Sequence, residues 1–174
     1  DGLRQRGASA TFFLVGERLA GNEDLVLRMQ REGHQIGNHT YSHPSLTKLS
    51  ADEMMYQTDQ TDQRVANLTS YTPKLLRPPY GAVNTVMKSN IQKPFVLWSI
   101  DTQDWKTQDK NKILQEVLGK VKDGDIILMH DYYASSVEAA LQVPEGHVYA
   151  FEQKEEGCAL IRANAEKAGV KNLT

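Results

Sequence analysis

His39 and His43, separated by three residues in Asn38-His39-Thr40-Tyr41-Ser42-His43, are the pair in this chain best suited to hold a metal ion. On a helix, residues i and i+4 share a face; at a strand-to-loop corner the same spacing lets two imidazoles converge on one cation. Two histidines with a carboxylate and a water make an open catalytic zinc set. The bland alternative is a pair of loop histidines that only hydrogen-bond locally, because a short motif alone is weak evidence. A zinc-protease reading fails, since Thr40 stands where the general-base Glu of His-Glu-x-x-His belongs.

Three more polar clusters carry candidate chemistry: Arg77-Pro78-Pro79-Tyr80-Gly81, Asp101-Thr102-Gln103-Asp104-Trp105 and His130-Asp131. Each, like the His39 cluster, directly follows a short apolar run that reads as a buried strand. The clusters therefore fall where strand C-termini open into loops, the face on which parallel α/β barrels do their chemistry. Two prolines stiffen the turn after Arg77, so its guanidinium and the Tyr80 amide can be aimed into one site. An ordinary turn with a solvated Arg is the alternative there. Asp101 and Asp104 can equally be turn formers, Trp105 a core residue and His130 a buried structural histidine.

In order and type these four clusters resemble the polysaccharide deacetylases, the NodB-homology or carbohydrate esterase family 4 proteins. The resemblance runs from about Ala8 to Asp131 and covers four of the family's five motifs. It implies a distorted (β/α) barrel and metal-dependent removal of acetyl groups, on nitrogen or oxygen, from chitin, chitooligosaccharides, peptidoglycan or xylan. By the same resemblance His39 and His43 would bind the metal, with zinc expected and cobalt, manganese or nickel as alternatives. Arg77 would orient the catalytic Asp, and the Tyr80 backbone amide would help hold the oxyanion. His130, paired with Asp101, would be the general acid, its imidazolium favoured by the carboxylate. Trp105 would line the acetyl-side groove and Leu128 the pocket for the acetyl methyl.

The family's first motif, a strand ending in Thr-Phe-Asp-Asp-Gly that carries the base and a metal-binding Asp, has no match. Asp1-Gly2 is not its tail: seven residues separate Gly2 from Ala10, and a parallel crossover needs at least ~10–12. The expectation is one deacetylase-like domain over 1–174, incomplete at its N-terminus and least defined over 143–174. An inactive carbohydrate-binding relative, or an inactive fragment without the base, is the alternative. Another barrel metalloenzyme has no role for Arg-Pro-Pro-Tyr-Gly or Asp-x-x-Asp-Trp. By resemblance the setting is extracellular or at the cell envelope, and the partner an acetylated polysaccharide or oligosaccharide.

The elements that must position these residues follow from local pattern. Leu3 to Gly7 reads as a helix end, Ala10 to Val15 as a strand buried on both faces. Asn22 is expected to cap a helix ending at Gly33, and Gln35 to Gly37 to lead into the His39 cluster. Ser50-Ala51-Asp52-Glu53 is a capping-box pattern for a helix to about Leu68. Lys74 to Leu76, Phe95 to Ile100 and Asp125 to Met129 read as strands. Between them lie a short helix near Asn84 to Ser89 and a helical stripe over Ile113, Leu114, Val117, Leu118 and Val121. Ser135 or Ser136 is expected to cap a helix over Val137 to Leu141, with a strand at Val148 to Phe151 and a helix at Ala159 to Ala168. Strands alternating with helical stripes mean an α/β protein with a parallel sheet.

Composition narrows the class. The 174 residues suffice for one domain with a core, and 40% hydrophobic with 24% charged residues is an ordinary globular balance. A net charge of −2 argues against nucleic acid as a partner. No apolar run approaches the ~18 residues of a membrane span. Cys158, the single cysteine, has no intramolecular partner for a disulfide.

Overall fold

The computed structural model describes residues 2–143 and the backbone of 149–152. Its helices are α1 (Gly2–Gln5), α2 (Glu23–Arg31), α3 (Ala51–Thr69), α4 (Thr85–Asn90), α5 (Asp104–Thr107), α6 (Lys110–Val117) and α7 (Ala134–Ala140). The strands are β1 (Ala10–Leu14), β2 (Gln35–Asn38), β3 (Ile100–Asp101), β4 (Ile127–His130) and β5 (Tyr149–Glu152). The class is α/β, as the alternating pattern implies. The described residues gather into two compact units: 2–12, 32–35, 98–143 and 149–152 form one, and 13–31 with 36–97 the other.

In the first unit the strands run β1, β5, β4, β3 across the sheet. Strand β4 pairs in parallel with β3, Asp101 opposite Leu128, and with β5, His130 opposite Glu152. All four β4 residues are buried, the run-on burial of a parallel strand with both faces covered. Helices α6 and α7 pack on each other, and Ile113, Val117 and Ala139 are buried. Asp109 caps α6 by accepting the Asn111 and Lys112 amides.

Two expectations shift here. The strand begins at Ile127 because Asp125 is spent on a turn, its carboxylate accepting the Lys122 amide and the Ser99 hydroxyl. Helix α7 begins at Ala134, so Ser135 and Ser136 lie inside it and do not cap it. The helix expected at Ala159 to Ala168 lies outside the described residues, as does Val148 at the start of the last expected strand.

In the second unit the His39 amide donates to the Leu14 carbonyl (3.0 Å), and parallel bridges run from Asn38 to Leu76 and from Leu76 to Phe95. Its core is Leu46, Met54, Leu76, Met87 and Ile91. Gly37 is required: a Cβ there would strike the Phe13 ring. Helix α3 opens with the capping box Ser50–Glu53 and closes at Ser70 in the left-handed region, φ 55°. Its buried face is Met54, Thr58, Thr61, Val65 and Thr69. The three threonine hydroxyls are satisfied within the helix, on the carbonyls of Met54 and Met55, Gln57 and Val65.

The strand expected from Phe95 to Ile100 is not continuous. Arg77 Nε donates to the Val96 carbonyl (3.1 Å) and Nη2 to the Leu97 carbonyl (3.0 Å), taking acceptors a ladder would use. Lys74 to Leu76 is likewise reduced to the bridge at Leu76. Asn22 does not cap α2 with its side chain, which donates to the Arg18 carbonyl instead (3.0 Å).

The Glu53 carboxyl is held below its ordinary pKa, first by the Ser50 hydroxyl and then by the Ser50 amide. A lowered folded-state pKa adds stability that is full above the unfolded value and lost as pH falls through the folded one. Ser50→Ala should cost about 1 kcal/mol in urea denaturation at neutral pH. Glu53→Gln should reduce the loss of stability between about pH 7 and about pH 3; an unchanged loss contradicts the capping box as its source.

Candidate active site

The second unit brings His39, His43, Arg77 and Tyr80 together. His39 directly follows β2 and is fully buried. Its Nδ1 lies 2.6 Å from the Arg77 carbonyl. A carbonyl only accepts, so Nδ1 carries a proton, and in the neutral ring the lone pair is on Nε2. The His43 ring meets the His39 ring edge-on at 4.7 Å between centroids, and the Tyr80 ring meets His43 at 5.1 Å. Both Nε2 atoms are buried. Two imidazoles so placed offer nitrogen donors of the kind that suits zinc. Among the described residues no group of three or more His, Cys, Asp or Glu is arranged to hold a metal.

The loop between the histidines is bent into an uncommon shape. Thr40 and His43 have φ of 69° and 60°, the left-handed region that non-glycine residues seldom enter. Asn38 anchors it: its amide donates to the Thr58 carbonyl and to Asp62 Oδ1, both at 2.8 Å, and its Oδ1 accepts the Thr40 N–H. Asp62 is paired in turn with Lys93 at 2.7 Å. Arg77 is buried, its guanidinium 4.4 Å from the Phe13 ring centroid, so the solvated-turn alternative is excluded. Tyr80 is also left-handed, φ 62°, and the residue is 68% exposed.

The first unit holds Asp101, Asp104, Trp105, Leu128 and His130. Here the partner of His130 is corrected. His130 Nδ1 lies 2.7 Å from Asp104 Oδ1, and the His130 amide donates to Asp104 Oδ2 at 2.6 Å. Asp101 Oδ1 instead accepts the Gln103 amide, an Asx-type turn. Gln103 is left-handed (φ 51°), and α5 then starts at Asp104, whose carboxylate is fully buried. That carboxylate also accepts the Ser136 hydroxyl (2.6 Å) and the Trp105 amide (2.8 Å). Burial first, and the Asp104 charge second, raise the pKa of Tyr133. Trp105 is half exposed, whereas Leu128 is buried in β4. Asp104, Ser136 and the Asn38–Asp62 link were not predicted in these roles; their partners are distant in sequence and no local signal marks them.

The same chain matches the model of the family described as polysaccharide deacetylase over residues 1–94. It is 38% identical over 143 residues to the peptidoglycan-N-acetylmuramic acid deacetylase PdaC of Bacillus subtilis, covering 82% of this chain and 31% of that protein. It is 40% identical over 154 residues to the peptidoglycan-N-acetylglucosamine deacetylase PgdA of Listeria monocytogenes, covering 87% and 33%. The solved structure of Bacillus subtilis PdaC superposes with a TM-score of 0.80 at 32% identity, covering 98% of this chain and 86% of that one. The chain belongs to the polysaccharide deacetylase family. It spans about a third of the length of these two curated relatives.

Replacing each aspartate by Ala separates their roles. Asp104→Ala strands a buried imidazole and hydroxyl and should cost about 3 kcal/mol or more. Asp101→Ala removes one turn bond and should cost about 1 kcal/mol or less. Urea denaturation of the two variants checks this; equal costs contradict the assignment.

Proposed function

We propose that this chain is the catalytic part of a metal-dependent deacetylase that hydrolyses N-acetyl groups on the amino sugars of peptidoglycan at the cell envelope. The carrying observation is the His39 ring, its Nδ1 fixed by the Arg77 carbonyl and the His43 ring beside it. The names of the relatives support the substrate class, with acetylated chitooligosaccharide as the soluble surrogate. The parallel strands are read as part of the distorted (β/α) barrel of the family.

His39 and His43 would hold the divalent metal, zinc ahead of cobalt, manganese or nickel, since the donor set is imidazole. A cation held there would supply Lewis-acid polarisation of an acetyl carbonyl and would lower the pKa of a bound water. Arg77 acts by fixing the His39 tautomer. The Tyr80 amide donates to the oxyanion that develops on the acetyl oxygen. His130, with Nδ1 committed to Asp104, gives the proton on Nε2 to the departing sugar nitrogen, and the buried carboxylate stabilises the positive ring between turnovers. Trp105 offers its exposed face to the sugar, and Leu128 lines the methyl pocket. The acceptor for the water's proton and the third ligand are the parts the family's Asp-Asp-Gly strand supplies.

Deacetylation of chitooligosaccharide and calorimetric zinc binding test this together. The chain as given should turn over little and bind zinc weakly, and a form extended by an Asp-Asp-Gly strand should gain both. In the extended form His130→Ala should lower turnover ~10²–10⁴-fold with zinc affinity nearly unchanged. Loss of zinc with His130→Ala would make that histidine a ligand and overturn its role as acid. Full turnover by the unextended chain would place the base elsewhere in it.

A further inference from the structure

We infer that Gln57 of α3 is a positioning residue for the His39–His43 loop, setting the ring of His43 for cation binding; this rests on the metal reading above. The amides of the loop divide by acceptor. His39 N–H goes to the Leu14 carbonyl, Thr40 N–H to Asn38 Oδ1 and His43 N–H to Thr40 Oγ1. The two in the middle, Tyr41 N–H and Ser42 N–H, both go to Gln57 Oε1 at 2.9 Å. Gln57 Nε2 then donates to Ser42 Oγ at 3.0 Å. One side chain thus closes on both amides and the hydroxyl at the loop's centre.

That centre lies between the two left-handed residues, Thr40 and His43. A loop with such residues at both ends relaxes unless its surroundings hold it. His39 is held independently by the Arg77 carbonyl and the sheet. The His43 ring has its backbone fixed through Ser42 and Thr40, so losing the Gln57 acceptor falls on His43 first. Helix α3 is a rigid mount for this clamp. Its Thr58 carbonyl and Asp62 side chain hold Asn38 before the loop, while Gln57 holds the loop's middle. The Thr40 and Tyr41 carbonyls stay bonded to the Gly16 and Glu17 amides whatever stands at position 57. The effect is therefore on ligand geometry and not on whether the loop is folded.

The acceptor oxygen is the requirement. Gln57→Met keeps length and removes it; Gln57→Glu keeps an oxygen that both amides and the Ser42 hydroxyl can reach. Zinc alone is the probe, read by competition with a chromophoric chelator on the intact chain, with amide hydrogen exchange as a second readout. Gln57→Met should weaken zinc binding about 10-fold or more and speed exchange at Tyr41 and Ser42. Gln57→Glu should restore most of the affinity. If the unaltered chain binds no zinc, the metal reading fails and this role with it. If it binds zinc and Gln57→Met leaves affinity unchanged, the positioning role alone is overturned. Should Gln57→Met fail to fold, Gln57→Glu decides: binding as weak as with His43→Ala overturns the acceptor role.

Discussion

A buried guanidinium is the constraint on which the arrangement of His39 depends. Burying a cation costs several kcal/mol unless its donors are met, and Arg77 is fully buried. Its donors reach the Val96 and Leu97 carbonyls, and its face covers Phe13. Its own backbone completes the arrangement. The Arg77 amide donates to the Asn38 carbonyl at 2.9 Å, and the Arg77 carbonyl fixes Nδ1 of His39. One residue therefore takes the Val96 and Leu97 carbonyls out of a ladder, covers the Phe13 ring and fixes Nδ1 of His39.

Two of the three candidate functional histidines, His39 and His130, are tuned by the same device with different partners. His39 gives its Nδ1 proton to a neutral carbonyl, which sets the tautomer and leaves Nε2 as a lone-pair donor. His130 gives its Nδ1 proton to a carboxylate, which also stabilises the charge an acid–base imidazole acquires. The first arrangement suits a ligand and the second a proton donor. Asp104 is itself held by the Ser136 hydroxyl and the amides of Trp105 and His130, so its position is fixed from three directions.

Local signals carried much of the fold into the sequence. The capping box at Ser50–Glu53, the apolar run from Ala10 and the short helix near Asn84 to Ser89 are each set by a few adjacent residues, and each forms within a residue of where the pattern puts it. Non-local capture explains what was not legible. The run from Phe95 reads as a strand until Arg77 takes its carbonyls. Asp101 and Asp104 are chemically identical and three positions apart; only the left-handed turn at Gln103 sends the second inward to His130. Ser136 looks like a cap until Asp104 draws its hydroxyl away. The motif residues were legible as types in order, but their partners were not, because those partners lie on other elements.

The tautomer of His39 tests the central claim most directly. Long-range ¹H–¹⁵N correlation of the imidazole rings in the metal-free protein distinguishes a protonated nitrogen from a lone-pair nitrogen. His39 should show Nδ1 protonated and Nε2 bare at neutral pH, with Nε2 the atom whose shift moves when zinc is added. A His39 ring protonated at Nε2, or one whose Nε2 shift is indifferent to zinc, would contradict it.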